Sequence, residues 1–365
     1  MQSAAGLIMA ALLAFGVSAA IIPFVLALSH KRSWYDIPNA RKIHTNPVPR
    51  LGGIGIFFGT MVGSLAVPLL LPLIAPTLWN DGYSISYVPV FIAFAIIHGL
   101  GLIDDFHNLH ALLKLSLQIV AAALVTVGGF TISSISLPGL APLSFGILSY
   151  PITILWIVTI SNAINLVDGV DGLAGGISGI AAIFLGVLCL LQGHGSSAVV
   201  AFAVLGACIG FLLFNWPPAR LFMGDSGSLF IGFVLATIPL MISPGQTTIG
   251  SLMGPVTVLL VPILDTVSAI FRRLRERRPI HSPDKEHIHH KLLAMGLRQL
   301  QLLSVTYAAC IVLGGFAVVA HFLRRGSADI LLISVWIVCL CALWTLSRVS
   351  HRRQGLETRT VEPHR

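Results

Sequence analysis

Five polar blocks interrupt an otherwise apolar chain, and the first of them carries two adjacent carboxylates. Asp104 and Asp105 stand at the end of a long apolar run. Carboxylates at the C-terminal end of a helix oppose the helix dipole, so the pair needs a metal ion or a basic neighbour such as Lys114. Adjacent carboxylates suit Mg²⁺, which takes oxygen ligands and usually keeps phosphate oxygens in its shell. The competing interpretation is a solvated helix end at a membrane boundary.

The second block, residues 162–174, places four polar side chains and two glycines between apolar runs. Its two Asp-Gly pairs, at Asp168 and Asp171, are typical of tight turns, and short polar side chains also cap helices. One such pair suffices for a turn. The second pair, together with Asn162 and Asn165, therefore favours a loop that binds a polar ligand.

The third block, residues 215–228, ends in Gly224-Asp225-Ser226-Gly227-Ser228 directly before an apolar run. Asp and Ser are preferred helix N-caps, and a helix N-terminus is also a ready anion site. The two interpretations are compatible. Together they predict that Asp225 is a metal ligand beside an anion site.

The fourth block is Asp265, a carboxylate inside an apolar run that leads into Arg272 and Arg273. A carboxylate within a membrane span is costly and usually functional. Pairing with Arg272 is the structural alternative. The arginines that follow the run are interpreted as determinants of topology or as contacts to anionic lipid, and the two interpretations are compatible.

The fifth block, residues 282–290, contains His287, His289 and His290. A helical zinc pair has i, i+4 spacing, which these three histidines lack, and no cysteine lies near enough to complete a zinc shell. Histidine serves acid–base chemistry at neutral pH. The block therefore favours phosphate binding or proton transfer over zinc.

The composition indicates which class of protein carries these blocks. Of 365 residues, 56% are hydrophobic and 10% are charged, with a mean hydropathy of +0.90, whereas soluble proteins carry about 25% charged residues. This excludes a soluble enzyme, a disordered chain and a fibrous repeat. The five cysteines lie in apolar runs, as buried small hydrophobes do, and predict neither disulfides nor zinc fingers.

Apolar runs approach the roughly 20 residues that span a bilayer, and they predict an all-α polytopic integral membrane protein with about eleven transmembrane helices. Residues 1–347 would form one membrane-embedded catalytic domain, and residues 348–365 a basic, disordered tail. Residues 128–149 are interpreted as a small surface hairpin. Gly55, Gly59 and Gly63 repeat as a helix-packing face does. The predicted spans are residues 4–28, 51–74, 84–103, 112–127, 148–164, 173–191, 198–214, 229–242, 248–270, 300–322 and 330–346.

The charges predict the orientation of these helices. If the spans alternate, all of the 22 basic residues except Arg324 and Arg325 fall on one side, with all of the 14 acids except Asp81 and Asp329. Positive loops stay in the cytoplasm, so the N-terminus would be outside and the C-terminus inside. The net charge of +8 is therefore interpreted as topology, with no nucleic-acid partner. The cytoplasmic loops would be residues 30–50, 104–111, 165–172, 215–228 and 271–299, and the site would lie among them.

In this order, the five blocks resemble the polyprenyl-phosphate N-acetylhexosamine-1-phosphate transferase family, also called the MraY–WecA superfamily. The resemblance runs from about residue 36 to 296 and begins with Asp-Ile-Pro-Asn-Ala-Arg-Lys-Ile-His at 36–44 and Pro-Val-Pro-Arg-Leu-Gly-Gly at 47–53. That opening and His-Ile-His-His at 287–290 are similar to the WecA/TagO branch, which transfers GlcNAc-1-phosphate. They are less similar to the MraY branch, which uses UDP-MurNAc-pentapeptide.

The resemblance implies that undecaprenyl phosphate attacks the β-phosphorus of UDP-GlcNAc and releases UMP, as the first membrane step of a cell-envelope polysaccharide pathway. It implies Mg²⁺, with Mn²⁺ as a substitute, on Asp225. Asp104 and Asp105 would position the lipid phosphate or the metal, with Asp104 the choice for any base. Phe222 would stack on uracil. The other implied catalytic residues are Asp168 and His290, and the other implied substrate-binding residues are Lys114, Asn165, Asp171, Asn215, Arg273, His287 and His289.

The resemblance also implies a bacterial plasma-membrane location, an active site on the cytoplasmic face and a groove for the polyprenyl chain. A homodimer is left open. The alternatives within the family are another UDP-N-acetylhexosamine or UDP-MurNAc-pentapeptide as donor. The alternative of another class is a multi-span transporter, but transporters place their sites near the midplane on broken helices, whereas these polar blocks lie at one boundary.

Overall fold

The computed structural model describes residues 4–35, 47–74, 83–135, 143–242, 245–279 and 287–360, with no side chains described from Ser350 onward. In these residues the chain is a succession of α-helices. They are α1 Ala4–Arg32, α2 Gly52–Ile74, α3 Val88–His107, α4 Ala111–Val127, α5 Ser149–Val167, α6 Leu173–Leu191, α7 Gly195–Asn215, α8 Asp225–Ile242, α9 Met253–Val258, α10 Leu260–Arg275, α11 Ile288–Ala294, α12 Gln299–His321 and α13 Arg325–Thr360.

Within the described residues, nine helical segments are long and apolar enough to cross a membrane. The bent pair formed by Gly250–Val258 and Leu260–Arg275 would make ten. Every predicted span is helical, but the structure supports nine or ten spans rather than eleven. The difference is α4, whose 17 residues lie at the lower limit for crossing a bilayer.

The predicted span at 248–270 is broken by a bend of 90° between Val258 and Leu260. Pro262 has no backbone N–H and cannot continue a helix that began two turns earlier, yet it is tolerated in the first turn of a new one. It lies in the first turn of α10. The break therefore turns α10 away from α9, and α10 carries Asp265.

A small three-stranded sheet is added to the predicted all-α class. It consists of β1 Ile132–Ile135, β2 Leu143–Ser144 and β3 Thr247–Thr248, in the order β2-β1-β3. Strand β1 pairs antiparallel with β2, where a hairpin is predicted, and parallel with β3.

Helix α13 continues to Thr360, into the tail for which the sequence predicts disorder. No proline interrupts residues 325–360, so the helix is not broken there.

Helix α8 lies at the centre of the bundle, packed against α2, α3, α5 and α6. All of its residues from Ser226 to Ile242 are buried. Helices α1 and α2 pack through the predicted glycine face, where a Cβ on Gly59 would lie 2.6 Å from the Ala14 carbonyl oxygen and one on Gly63 would lie 2.7 Å from that of Ala10. Buried small residues let membrane helices approach closely. The bundle thereby holds the first turn of α8 at a fixed position.

Candidate active site

Three of the polar blocks meet at the N-terminus of α8. The carboxylate of Asp225 forms an ion pair with the ammonium group of Lys114 on α4 and accepts a hydrogen bond from Asn165 Nδ2 at 3.0 Å. Lys114 Nζ also lies 3.1 Å from Asp104 Oδ2. The lysine therefore bridges two acids from different helices, as the helix-dipole argument predicts for Asp104.

The two adjacent acids have different surroundings. Asp104 retains 12% of its side-chain exposure and faces Lys114, while its Oδ1 accepts the backbone N–H of Leu109 at 2.6 Å. The side chain of Asp105 is fully buried, and its two oxygens accept the backbone N–H groups of Asp225 at 2.7 Å and Ser226 at 3.1 Å. Asp105 therefore caps α8 with a negative charge, the favourable sign at a helix N-terminus.

Arg50 is a member of the site that the sequence reasoning did not single out. Its guanidinium lies 3.7 Å from Asp105 Oδ1 and 3.8 Å from Asp225 Oδ1. The backbone around it pairs with the third block, since Phe222 N–H donates to Pro49 and Gly52 N–H donates to Phe222. The sequence feature that could have indicated Arg50 is its place in the Pro-Val-Pro-Arg-Leu-Gly-Gly segment. The spacing of residues along the chain, however, does not link that segment to the acids.

Asp168 directly follows α5, next to the same acids. Burial raises the pKa of Asp168 to about 7, with further contributions from the negative charges of Asp225, Asp105 and Asp171, while Arg50 opposes the rise. Near neutral pH the Asp168 carboxyl group is therefore poised between its protonated and ionised forms. This is the behaviour expected of a proton-transfer or phosphate-contacting group.

Asp171 and Asn215 join two loops to each other. Asp171 Oδ2 accepts the backbone N–H of Ala219 at 3.1 Å. Asn215 Oδ1 accepts the N–H of Gly172 at 2.8 Å, and its Nδ2 donates to the Leu221 carbonyl at 2.8 Å. Both residues are predicted to bind the nucleotide, but the hydrogen bonds described for their side chains are made to other parts of the protein. They fix the loop that ends at the half-buried Phe222.

The histidine block is held by Asp265 of α10. Its Oδ2 lies 2.9 Å from His287 Nδ1, and its Oδ1 accepts the backbone N–H of Ile288 at 2.7 Å. The bonds described for Asp265 thus go to the histidine block, whereas the structural alternative named Arg272 as its partner. The other predicted residue of this helix, Arg273, is buried in its last turn.

His289 brings the histidine block against the second block. Its ring is parallel to that of His287, with 5.7 Å between centroids, and lies 4.3 Å from that of His290. A Cβ on Gly169 would lie 2.9 Å from His289 Nε2, so the histidines lie beside the loop that carries Asp168. Burial, together with the neighbouring His290, lowers the pKa of His289 to about 4. His289 is therefore neutral at pH 7.

The donor atoms at the α8 N-terminus fit a hard cation. In the described part of the chain no group of three or more His, Cys, Asp or Glu side chains has a metal-binding arrangement. However, Asp104 and Asp225 already share a positive charge, that of Lys114, and carboxylate oxygens are the ligands that Mg²⁺ prefers. A cavity of about 680 Å³ lies elsewhere, at the other ends of α6 and α12, beside Gln192 and His321.

Comparison with known proteins identifies the family of this chain. Residues 87–243 match Glycosyl transferase family 4. The chain is 34% identical, over 79% of its length and 77% of the relative's, to the probable undecaprenyl-phosphate N-acetylglucosaminyl 1-phosphate transferase of Bacillus subtilis (strain 168).

Two further relatives agree. The chain is 34% identical to the decaprenyl-phosphate N-acetylglucosaminephosphotransferase of Mycobacterium tuberculosis (strain ATCC 25618 / H37Rv), over 91% of this chain and 88% of the relative. It is 27% identical to the undecaprenyl-phosphate alpha-N-acetylglucosaminyl 1-phosphate transferase of Escherichia coli (strain K12), over 90% and 89%. The resemblance carried by the five blocks is confirmed, and the chain belongs to glycosyl transferase family 4, among relatives that are polyprenyl-phosphate GlcNAc-1-phosphate transferases.

Proposed function

We propose that this protein transfers GlcNAc-1-phosphate from UDP-GlcNAc to a polyprenyl phosphate such as undecaprenyl phosphate. The product would be polyprenyl-diphosphate-GlcNAc, the first lipid-linked intermediate of an envelope polymer. The observation that carries the proposal is the meeting of Asp104, Lys114, Asn165 and Asp225 at one end of the bundle. The relatives' names state the same activity.

The reaction exchanges one phosphorus–oxygen bond for another. An oxygen of the lipid phosphate bonds to the β-phosphorus of the UDP-sugar, and the bond from that phosphorus to the UMP oxygen breaks. Phosphoryl transfer depends mainly on positioning and charge neutralisation, which Lys114 and Arg50 can supply. A phosphate monoester has a second pKa of about 6. The lipid phosphate is therefore already largely ionised at neutral pH, and the reaction needs no strong base.

The carboxylates of Asp225 and Asp104 would hold Mg²⁺, with Mn²⁺ as a substitute. When bound, the ion supplies positive charge for the diphosphate oxygens. Asn165 supports this arrangement, because its amide donates to Asp225 at 3.0 Å and to Ser228 Oγ at 2.8 Å. These bonds orient the Asp225 carboxylate toward Lys114.

The remaining predicted residues surround the same end of the bundle. Phe222 would stack on uracil, and Asp171 and Asn215 would hold the loop that presents it. Asp168 and the histidine block would face the phosphates from the other side, with His290 as the proposed catalytic member of that block. Three further residues are assigned to substrate binding there: Arg273, His287 and His289.

The active site is proposed to lie on the cytoplasmic face of a bacterial plasma membrane, with the N-terminus outside. The basic asymmetry of the loops supports this orientation. Residues 1–347 would act as one catalytic domain with a groove for the polyprenyl chain, and residues 348–365 as its tail. A homodimer is compatible with this arrangement. A transporter is disfavoured, since Asp104, Asp105 and Asp225 lie at helix ends and not on the broken pair α9–α10.

The proposal is tested with purified protein, undecaprenyl phosphate, Mg²⁺ and a panel of UDP-sugars. UMP release is measured, with the variant Asp225→Asn as the matched control. We expect UMP release with UDP-GlcNAc and its loss in the variant. Release only with UDP-MurNAc-pentapeptide, or equal release without the lipid, would contradict the proposed donor or acceptor.

A further inference from the structure

His98 of α3 is a buried titratable residue outside the site described above. Only 7% of it is exposed, and it lies two helical turns before Asp105. Its ring Nδ1 is 3.0 Å from the carbonyl oxygen of Ser226. Because a carbonyl oxygen only accepts, Nδ1 carries the hydrogen and donates it. Ser226 directly follows Asp225 in the first turn of α8.

Two aromatic rings hold the imidazole of His98 in one orientation. Phe57 of α2 stacks on it, with 4.1 Å between centroids and 3° between planes. Phe230 of α8 meets it edge-on at 6.2 Å and 76°. The imidazole is confined by both neighbours, so its N–H group stays directed at Ser226.

Helix α3 contacts the first turn of α8 at three levels. Asp105 accepts the backbone N–H groups of Asp225 and Ser226. Below it, a Cβ on Gly101 would lie 2.5 Å from Ser226 Cα, so only glycine permits this approach. Below that, His98 donates to the Ser226 carbonyl. Positions 98, 101 and 105 lie on one helix face, and both backbone polar groups of Ser226 are bonded to it.

We infer that His98 is a positioning residue, which sets the place and tilt of the first turn of α8 so that Asp225 faces Asp104 and Lys114. The inference rests on the proposed role of Asp225. Asp105 fixes the first turn of α8 only through the backbone N–H groups of Asp225 and Ser226. His98, about 10 Å lower along α3 at 1.5 Å per residue, bonds the carbonyl group of Ser226, so the peptide groups on both sides of this residue are held by α3.

The matched variants separate the N–H group from the ring. His98→Phe keeps an aromatic ring between Phe57 and Phe230 but removes the donor. His98→Asn places an amide N–H near the position of Nδ1 but removes the ring. Trp156→Phe is the control, because it removes another ring N–H donor to an α8 carbonyl, the bond of 2.9 Å to Ala236, three turns from Asp225.

We expect His98→Phe to lower kcat at least tenfold, since small displacements of reacting groups are costly, with KM for UDP-GlcNAc changed less than threefold. His98→Asn should recover most of this loss, and Trp156→Phe should keep kcat within about twofold of wild type. Mn²⁺ titrated alone should bind His98→Phe severalfold more weakly than wild type. The Mn²⁺ titration needs no sugar or lipid, so it tests the positioning even if UDP-GlcNAc is not the donor.

Three results would overturn the inference: wild-type kcat and Mn²⁺ binding in His98→Phe, a larger loss in His98→Asn than in His98→Phe, or an equal loss in Trp156→Phe. The second would show that the ring matters and the N–H does not. If His98→Phe does not fold, His98→Asn is compared with His98→Ala, which lacks both ring and donor. Asn should then exceed Ala severalfold in kcat, and equal rates would contradict the inference.

Discussion

Asp105 accepts the backbone N–H of Asp225 at 2.7 Å, so one acid holds the main chain of another and leaves that residue's carboxylate for Lys114 and Asn165. The pair Asp104-Asp105 is therefore divided between two tasks. Asp104 faces the bridging lysine, and Asp105 fastens α3 to the first turn of α8.

This division predicts different effects for two isosteric changes. Asp105→Asn replaces one acceptor oxygen by an NH₂ group that faces a backbone N–H, so it should lower the free energy of unfolding by about 1–3 kcal/mol as well as lower kcat. Asp104→Asn should lower kcat about as much as Asp105→Asn does, but it should lower the free energy of unfolding by less than half as much. Thermal unfolding in detergent and UMP release measure the two effects. Equal stability loss in both variants would contradict the division.

Asp225 is predicted to act through its charge. Asp225→Asn keeps the shape of the side chain but should lose most of the activity, by about a hundredfold or more. Its residual rate should respond to Mg²⁺ over a different concentration range from that of wild type, as a rate titration will measure. If the variant turns over near the wild-type rate with the same Mg²⁺ dependence, Asp225 is a helix cap and not a ligand.

The pKa of His289 predicts a pH dependence of stability. Burial lowers this pKa to about 4 in the folded protein, below the ordinary value of about 6.5. The unfolded state therefore binds more protons between these values, and stability falls as the pH drops from 6.5 toward 4. His289→Asn cannot take up this proton, so we expect a smaller fall in its unfolding temperature between pH 7 and pH 5.

The control for this experiment is His321→Asn, since His321 is exposed at the far end of α12 and should behave as wild type does. A wild-type unfolding temperature that falls no more than that of His289→Asn over the same interval would show that His289 is not held neutral by the fold.

Asp265 is predicted to act through His287. Asp265→Asn keeps an acceptor for Ile288 N–H but weakens the bond to His287 Nδ1, so His287 loses its fixed orientation. We expect a severalfold fall in kcat/KM and an altered pH profile of that ratio. Ser268→Ala is a suitable control, because it removes a hydroxyl bond one turn further along α10, from Oγ to the Asp265 carbonyl. An unchanged pH profile in Asp265→Asn would contradict this role.

Local features of the sequence predicted much of the site. Apolar run lengths located the helices, and the helix-dipole argument required a metal ion or a basic neighbour such as Lys114 beside the acids; Lys114 does lie 3.1 Å from Asp104. The Gly-Asp-Ser-Gly-Ser segment marked the beginning of α8, and the structure begins that helix at Asp225. These predictions succeeded because each depends on residues that are near one another along the chain.

Features that depend on contacts between distant segments could not be predicted. Asp104 and Asp105 are adjacent, and only the rotation of α3 against α8 decides which of them is buried. Asp265 bonds His287, a residue 22 positions further along the chain, and only the packing of the histidine block against α10 brings the two side chains together. Arg50 joined the site through backbone pairing with Phe222, which leaves no periodic signal in the sequence.

The central claim, that the protein exchanges one diphosphate linkage for another, is tested most directly by running the reaction backwards. Substrates and products each hold one diphosphate and one phosphate monoester. The equilibrium constant should therefore lie within a few powers of ten of unity, where each power of ten corresponds to about 1.4 kcal/mol of free energy. Purified protein supplied with polyprenyl-diphosphate-GlcNAc, Mg²⁺ and excess UMP should form UDP-GlcNAc, and should form none when Mg²⁺ is chelated. Release of sugar phosphate with no UDP-GlcNAc at any UMP concentration would contradict the claim.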